Sequence, residues 1–375
     1  MRDQRLDQLA DVLVNYSTSV KPGDLVLISG SAIGLPLIEA VHRTVLAAGG
    51  HPLLGIQSDT CKEALLYHGT DVQLEFVDPI AQFQIETIDV LIAMWGTENT
   101  KAFSNAAPER QAKVSQARKR YLETYMTRAA AGELRWVGTQ FPCQASAQDA
   151  EMSLSAYADF VFRAGLLHHA KPAASWREIS ERQQRLADFL NQKETVRFVT
   201  PQGTDLTVHV TDRKWINCDG HENFPDGEVF TGPHEDATQG TVRYSFPAVH
   251  GGREVDGIQL VFRDGRVVDA TAEKGEKFLH AMLDQDDGAR CLGEIAIGTN
   301  YSIQQYTKNT LFDEKIGGTF HAAVGAAYPE TGGKNVSGLH WDMVCDLRDG
   351  GEIIVDGEVI SRNGKFLDVT LPQPG

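Results

Sequence analysis

Cysteine is scarce in this chain, and long apolar runs are missing from it. Its 375 residues hold five cysteines, Cys61, Cys143, Cys218, Cys291 and Cys345, odd in number, isolated and without CxxC spacing. That argues against a disulfide framework and a thiolate zinc site, and it suits a reducing compartment. No uncharged apolar stretch approaches the roughly 18 residues of a membrane-spanning helix. The opening MRDQRLDQLADVLVNYS has no signal-peptide pattern; Leu6, Leu9, Leu13 and Tyr16 recur instead at the spacing of an amphipathic helix. Basic residues are outnumbered, 35 Lys and Arg against 51 Asp and Glu, and the net charge of −16 speaks against nucleic acid and anionic membranes as partners. There is no internal repeat and no low-complexity segment. The run SGSAIG lacks both GxGxxG and GxxxxGK[ST], so it reads as a strand-to-helix turn and not as a phosphate loop. What remains is a soluble, cytoplasmic, globular protein long enough for two domains.

The two halves follow different patterns. In the first, DLVLISG (24–30), IDVLIAMW (88–95) and ELRWVGTQ (133–140) are short apolar runs of the kind buried on both faces of a sheet. Helical stretches separate them: 35–50, a long basic helix over 108–132, and 147–165. This alternation predicts a mostly parallel α/β sheet. The basic residues of 108–132 read as a solvated or subunit-facing surface. HHAKPAA (168–174) reads as a linker, and Ser175 with Glu178 as the capping box of a helix running to about Lys193. The boundary is placed near 180, dividing an α/β domain (1–180) from a second domain (181–375). In the second domain strand patterns are broken by RDGR, VDGE and RNGK, which are hairpin turns. One helix is expected near 275–284. The second domain is therefore β-rich, mainly antiparallel and of the α+β type.

Several polar residues sit where apolar strands should have none. Glu228 follows a Pro-Asp-Gly turn, Glu294 lies inside CLGEIAIGTN, and His321 lies inside GTFHAAVGAAY, with Tyr328 seven residues on. In SGLHWDMVCDL, Leu339, Trp341, Met343, Cys345 and Leu347 alternate with His340, Asp342 and Val344, so one strand delivers a histidine and a carboxylate to one face. Singly, each has an ordinary explanation: a hydrogen-bonded core histidine, a carboxylate paired with arginine, a capped turn, a surface His–Asp contact. Ionised carboxylates seldom stay in apolar strands unless paired or metal-bound. Together, two histidines and three carboxylates on four segments are what a pair of divalent ions requires.

These segments also resemble a known family. FPDGEVFTGPHED, GTVRYSFPA, LGEIAIGTN, LFDEKIGGTFHAAVGAAYPETGG and SGLHWDMV are similar to the thermophilic metallo-aminopeptidases of the aminopeptidase T and aminopeptidase S type, and the first half matches more loosely through YSTSVKPGDLVLISG. The resemblance implies a homodimeric exopeptidase that removes N-terminal residues from peptides with two divalent metals, zinc, cobalt, manganese or magnesium. Carried onto this sequence, it implies metal ligands at Glu228, Glu294, His321, His340 and Asp342 and an active-site tyrosine at Tyr328. In such an enzyme the metals polarise the scissile carbonyl and acidify a bridging water, a glutamate (Glu314 or Glu294) moves the proton, and Tyr328 donates to the oxyanion.

Two rival readings stay open at this level. One is a mononuclear non-haem Fe(II) oxygenase using His321, His340 and Asp342 as a facial triad, since ring-cleaving pyridine dioxygenases are similar in fold to this family. The other is a metal- or peptide-binding protein without turnover.

Overall fold

The computed structural model describes residues 3–374. The chain forms two compact units: Met1–Ala173 with Gly220–Phe224, and Ala174–Asp219 with Pro225–Gly375.

The first unit is built on a five-stranded sheet in the order His51–Gln57, Leu25–Ser31, Val90–Trp95, Arg135–Gln140, Asn223–Phe224, parallel throughout. The central strands carry the apolar runs, and Val26, Ile28, Val90, Ile92 and Val137 are fully buried. His51–Gln57 is not apparent from its sequence, because HPLLGIQ contains proline and glycine and forms a largely exposed edge. The N-terminal helix Gln4–Asp11 continues as a π-helix over Val12–Ser17, which buries Leu6, Leu9, Leu13 and Tyr16 together. The single helix expected over 108–132 is two, Pro108–Ala117 and Lys119–Ala130, joined at Arg118, and neither buries a residue. The stretch 147–165 is likewise split into Gln144–Asp149 and Leu154–Ala164, with Glu151 between them at φ 57°. The capping box at Ser175 does not form: the helix begins at Pro172 and ends at Leu190, so Ser175 lies inside its first turns. Proline suits that first position because its fixed φ is already helical and its missing N–H is not needed.

The second unit is mainly antiparallel. An eight-stranded sheet contains the hairpins of the turn motifs, whose Asp264-Gly265, Asp356-Gly357 and Asn363-Gly364 pairs all have positive φ, as a tight two-residue turn demands. A five-stranded sheet runs in the order His340–Asp346, Thr319–Gly325, Leu292–Gly298, Glu228–Thr231, Ile216–Cys218. The two sheets share one hydrophobic core, in which Phe198 of the first stacks on Phe320 of the second at 4.1 Å. Leu186, Ala187 and Leu190 of the Pro172–Leu190 helix complete it. Truncating either ring to alanine costs about 3–5 kcal/mol by loss of transfer energy and creation of a cavity. The helix expected near 275–284 is Glu276–Leu283.

Candidate metal centre

The five-stranded sheet has one face in the core and one face that carries chemistry. Phe320, Ala322 and Val324 point into the core, and so do Trp341, Met343 and Cys345. By the two-residue period His321, His340 and Asp342 therefore point the other way. Cross-strand register then aligns them: Glu294 opposes Ala323, which opposes Asp342; Ala296 opposes His321; Gly298 opposes Glu228; Gly325 opposes His340. Each large polar side chain faces a glycine or alanine on one neighbouring strand, while on the other side His321 opposes Val344 and Glu228 opposes Cys218. That alternation leaves space above the sheet where the polar groups converge.

A β-bulge is needed for Glu294 to join them. Leu292 and Ile295 both lie in the core, although three positions apart on a regular strand they would face opposite ways. The register shifts between Leu292 and Glu294, so the extra residue, Gly293, lets Leu292 stay inside while Glu294 turns to the polar face. A side chain at 293 is excluded, because its Cβ would lie 2.1 Å from the Ala326 carbonyl oxygen.

The resulting distances are short. His321 Nε2 lies 3.0 Å from Glu294 Oε1, 3.6 Å from Glu228 Oε2 and 3.9 Å from Asp342 Oδ1. His340 Nε2 lies 3.5 Å from both Glu294 Oε2 and Asp342 Oδ1. Each histidine donates its other nitrogen to a backbone carbonyl, His321 Nδ1 to Glu314 at 3.1 Å and His340 Nδ1 to Ala326 at 2.8 Å. Those two bonds fix ring orientation and present Nε2 of both rings to the carboxylates. Glu314 lies against the same cluster, grouped with His321 and Asp342. Tyr328 is on the exposed rim, its ring edge-on to His340 at 5.2 Å and to Phe230 at 5.5 Å. Thus all seven residues singled out from the sequence line one place.

Three further residues enter that sequence reasoning did not name for the site. Lys315 is fully buried; its ammonium contacts Glu314 Oε1 and lies 3.3 Å from Glu228 Oε1 and 3.8 Å from Asp226 Oδ1. Asp226, read only as part of a Pro-Asp-Gly turn, is itself buried, and Cys218 groups with it and Glu228. The available signal was the charged triplet Asp313-Glu314-Lys315 held between apolar Phe312 and Ile316, an unusual place for three ionisable side chains in succession.

The electrostatics follow from burial and crowding. Burial pushes the carboxyls of Glu228, Glu294 and Glu314 up, and that of Asp226 well up, despite the cations beside them. Burial pulls the two histidines down, but their hydrogen bonds to Glu294 and Asp342 and the surrounding carboxylates outweigh it and hold each at about 10. Burial acts upward on Asp342 also, yet the His340 hydrogen bond and the charges of His340 and His321 hold it at about 2. Burial and the neighbouring carboxylates keep the Cys218 thiol protonated. Protons held on the histidines and on the raised carboxyls, together with the shared Lys315 ammonium, relieve the crowding of negative charge.

The donor set fits divalent ions. Glu228 with Glu294 and His321, Glu294 with His340 and Asp342, and Glu314 with His321 and Asp342 each bring ligand atoms within 4.8 Å of one another. Glu228 Oε2 is buried and has no hydrogen-bond partner. A carboxylate oxygen without a hydrogen-bond partner, 3.6 Å from His321 Nε2, is costly as it stands and well placed to hold a cation.

The fold and this donor set define a class: an α/β unit joined to an antiparallel β unit that carries an oxygen- and imidazole-rich metal-type site. Known proteins share the architecture. Wild-type AmpT from Thermus thermophilus superposes with a TM-score of 0.85 at 23% identity, covering 97% of this chain and 99% of that one. A 2,5-dihydroxypyridine dioxygenase from Pseudomonas putida shares it more distantly, with a TM-score of 0.59 at 13% identity, covering 97% and 98%. At such identities both likenesses speak for the fold alone. In sequence, aminopeptidase 2 of Geobacillus stearothermophilus is 28% identical over 97% of this chain and 95% of its own length. The family model described as thermophilic metalloprotease (M29) matches residues 2–366, and the chain belongs to that family. Among the described residues no helix is long and apolar enough to cross a membrane.

Proposed function

We propose that the protein is a metal-dependent aminopeptidase that holds two divalent ions with Glu228, Glu294, His321, His340 and Asp342. The observation that carries this reading is a pair of donor groups that share one carboxylate. Glu228 with Glu294 and His321, and Glu294 with His340 and Asp342, each bring ligand atoms within 4.8 Å of one another, as places for two divalent ions would. Membership of a metalloprotease family and the end-to-end similarity to an aminopeptidase support the reaction class.

When bound, the ions supply Lewis-acid polarisation of the scissile carbonyl and a water acidic enough to attack near neutral pH. The protein's own groups do the rest. Glu294 faces one histidine with each oxygen, so it is placed to serve both ions and is not free to shuttle a proton. That leaves Glu314 as the base, which takes the proton of the attacking water and returns it to the leaving amine. Burial and four nearby carboxylates hold the Tyr328 phenol protonated, so its O–H remains a donor for the tetrahedral oxyanion. The free α-ammonium of a peptide is drawn by the same acidic cluster, which selects N-termini. The protein acts in the cytoplasm as a homodimer; the exposed Val72, Phe76, Ile80 and Phe83 offer an apolar surface for a second copy, and light scattering tests it.

Metal quantification coupled to a panel of aminoacyl chromogenic substrates, with and without chelator, tests the proposal. Two ions per chain and chelator-sensitive release of N-terminal residues are expected. A single oxygen-sensitive Fe²⁺ would point to the ring-cleaving oxygenase instead, although that chemistry leaves Glu228 and Glu294 without a role. Bound metal with no hydrolysis of any substrate would mark a binding protein.

A further inference from the structure

Among the described residues Lys315 is the only lysine whose side chain is buried, and it is buried completely. A long flexible cation loses both hydration and rotamer freedom there, so its position has to be fixed by what surrounds it. Three carboxylates do so. Lys315 Nζ contacts Glu314 Oε1, donates to Glu228 Oε1 at 3.3 Å and lies 3.8 Å from Asp226 Oδ1. The consequence for Glu228 is a division of labour between its oxygens. Oε1 is engaged by the ammonium, and Oε2 is left without a hydrogen-bond partner, aimed at His321 Nε2 3.6 Å away. The same ammonium stands beside Asp226 and Glu228, which with Cys218 form a donor group with spacing that would suit another ion.

We infer that Lys315 is a positioning residue that serves as a built-in third cation. It clamps Glu228 Oε1 and Glu314, so that Glu228 Oε2 is presented to the ions and Glu314 is held in place, and it occupies the position at Asp226 where a further ion would otherwise bind. The protein thereby confines its acidic cluster to two divalent ions. The inference rests on the two-metal reading above.

The test compares the full-length wild type with Lys315→Ala and Lys315→Met, each checked for folding by near-UV circular dichroism. Zinc stoichiometry comes from equilibrium dialysis, ligand geometry from the visible spectrum of the Co²⁺ form, and kcat and KM from a chromogenic aminoacyl substrate. Wild type is expected to bind two zinc ions. Lys315→Ala is expected to bind a third, to show an altered Co²⁺ spectrum, and to lose about 10–100-fold in kcat with KM little changed, as loss of a group orienting metal ligands does. Ethylammonium should restore part of kcat to Lys315→Ala but not to Lys315→Met, whose side chain fills the space. If the single variants fail to fold, the charge-balanced Lys315→Met/Asp226→Asn pair carries the same spectral test. Folded variants with two zinc ions, an unchanged Co²⁺ spectrum and no amine rescue overturn the inference. Fewer than two zinc ions in the wild type overturns the two-metal reading instead, and a spectral change on removing Lys315 distinguishes the two failures.

Discussion

The two units treat charge in opposite ways. Among the described residues, the buried charged side chains are Arg213, Asp226, Glu228, Glu294, Asp313, Lys315 and His321, all in the antiparallel unit. The parallel unit buries neutral polar groups such as Ser17, Thr18, Gln82, Thr139 and Gln140. Both have apolar strands at their centre, so the contrast does not come from hydrophobicity. Burying an unpaired ion costs several kcal/mol, and the parallel unit shows how a sheet is packed when that cost is avoided. Arg213 is answered locally by Glu235 at 2.8 Å. The other six lie at or beside one cluster, where the carboxylates outnumber their cationic partners. An excess of buried negative charge concentrated at one place is a feature that packing alone does not call for.

That contrast can be broken most severely at the sheet's polar face. Asp342→Ala or His340→Ala should abolish metal-dependent cleavage, by roughly 1,000-fold or more, equivalent to about 4 kcal/mol of transition-state stabilisation. Circular dichroism should show the fold retained; full activity in metal-loaded Asp342→Ala would sink the assignment. A core truncation in the other unit should do the reverse. Ile28→Ala, at a fully buried position of an interior parallel strand, should cost about 2–5 kcal/mol in urea unfolding while leaving metal content per folded chain unchanged. Coupled loss of metal would show that the two units do not divide stability and chemistry as described. At the rim of the site Tyr328→Phe should lower kcat about 100-fold with metal retained; loss of a metal in its place would contradict the oxyanion role. The smallest effect is expected at an exposed ion pair. Arg197 and Asp205 lie 2.7 Å apart with about half of each side chain in water, so Asp205→Asn should change stability by under about 1 kcal/mol.

Much of the architecture was legible because it rests on local rules. The strand 340–346 follows from alternation, the hairpins follow from Asp-Gly and Asn-Gly pairs, and the parallel sheet follows from short apolar runs set between helices. Legibility failed where the signal was short or conflicted. His51–Gln57 is an edge strand interrupted by Pro52 and Gly55, the break at Arg118 carries no proline or glycine to announce it, and Pro172 started the helix that Ser175 was expected to cap. The excursion of Asn223–Phe224 to pair with Arg135–Gln140, more than eighty residues back, left no local trace at all.

The site divides along the same line. Read alone, the sequence determined which side chains are anomalous, because a carboxylate or histidine at an apolar position is costly wherever the strand goes. It also determined that His340 and Asp342 share a face, because the period of a strand is two. Only the tertiary structure decided that Glu228, Glu294, Glu314, His321, Tyr328 and that pair meet at one place. Cross-strand register and the bulge at Gly293 are settled by pairing between distant segments. Only the tertiary structure, likewise, decided that Lys315 and Asp226 are buried at the site. Burial and ion pairing belong to the packed interior, where the cost of desolvating a charge depends on neighbours that local sequence does not name.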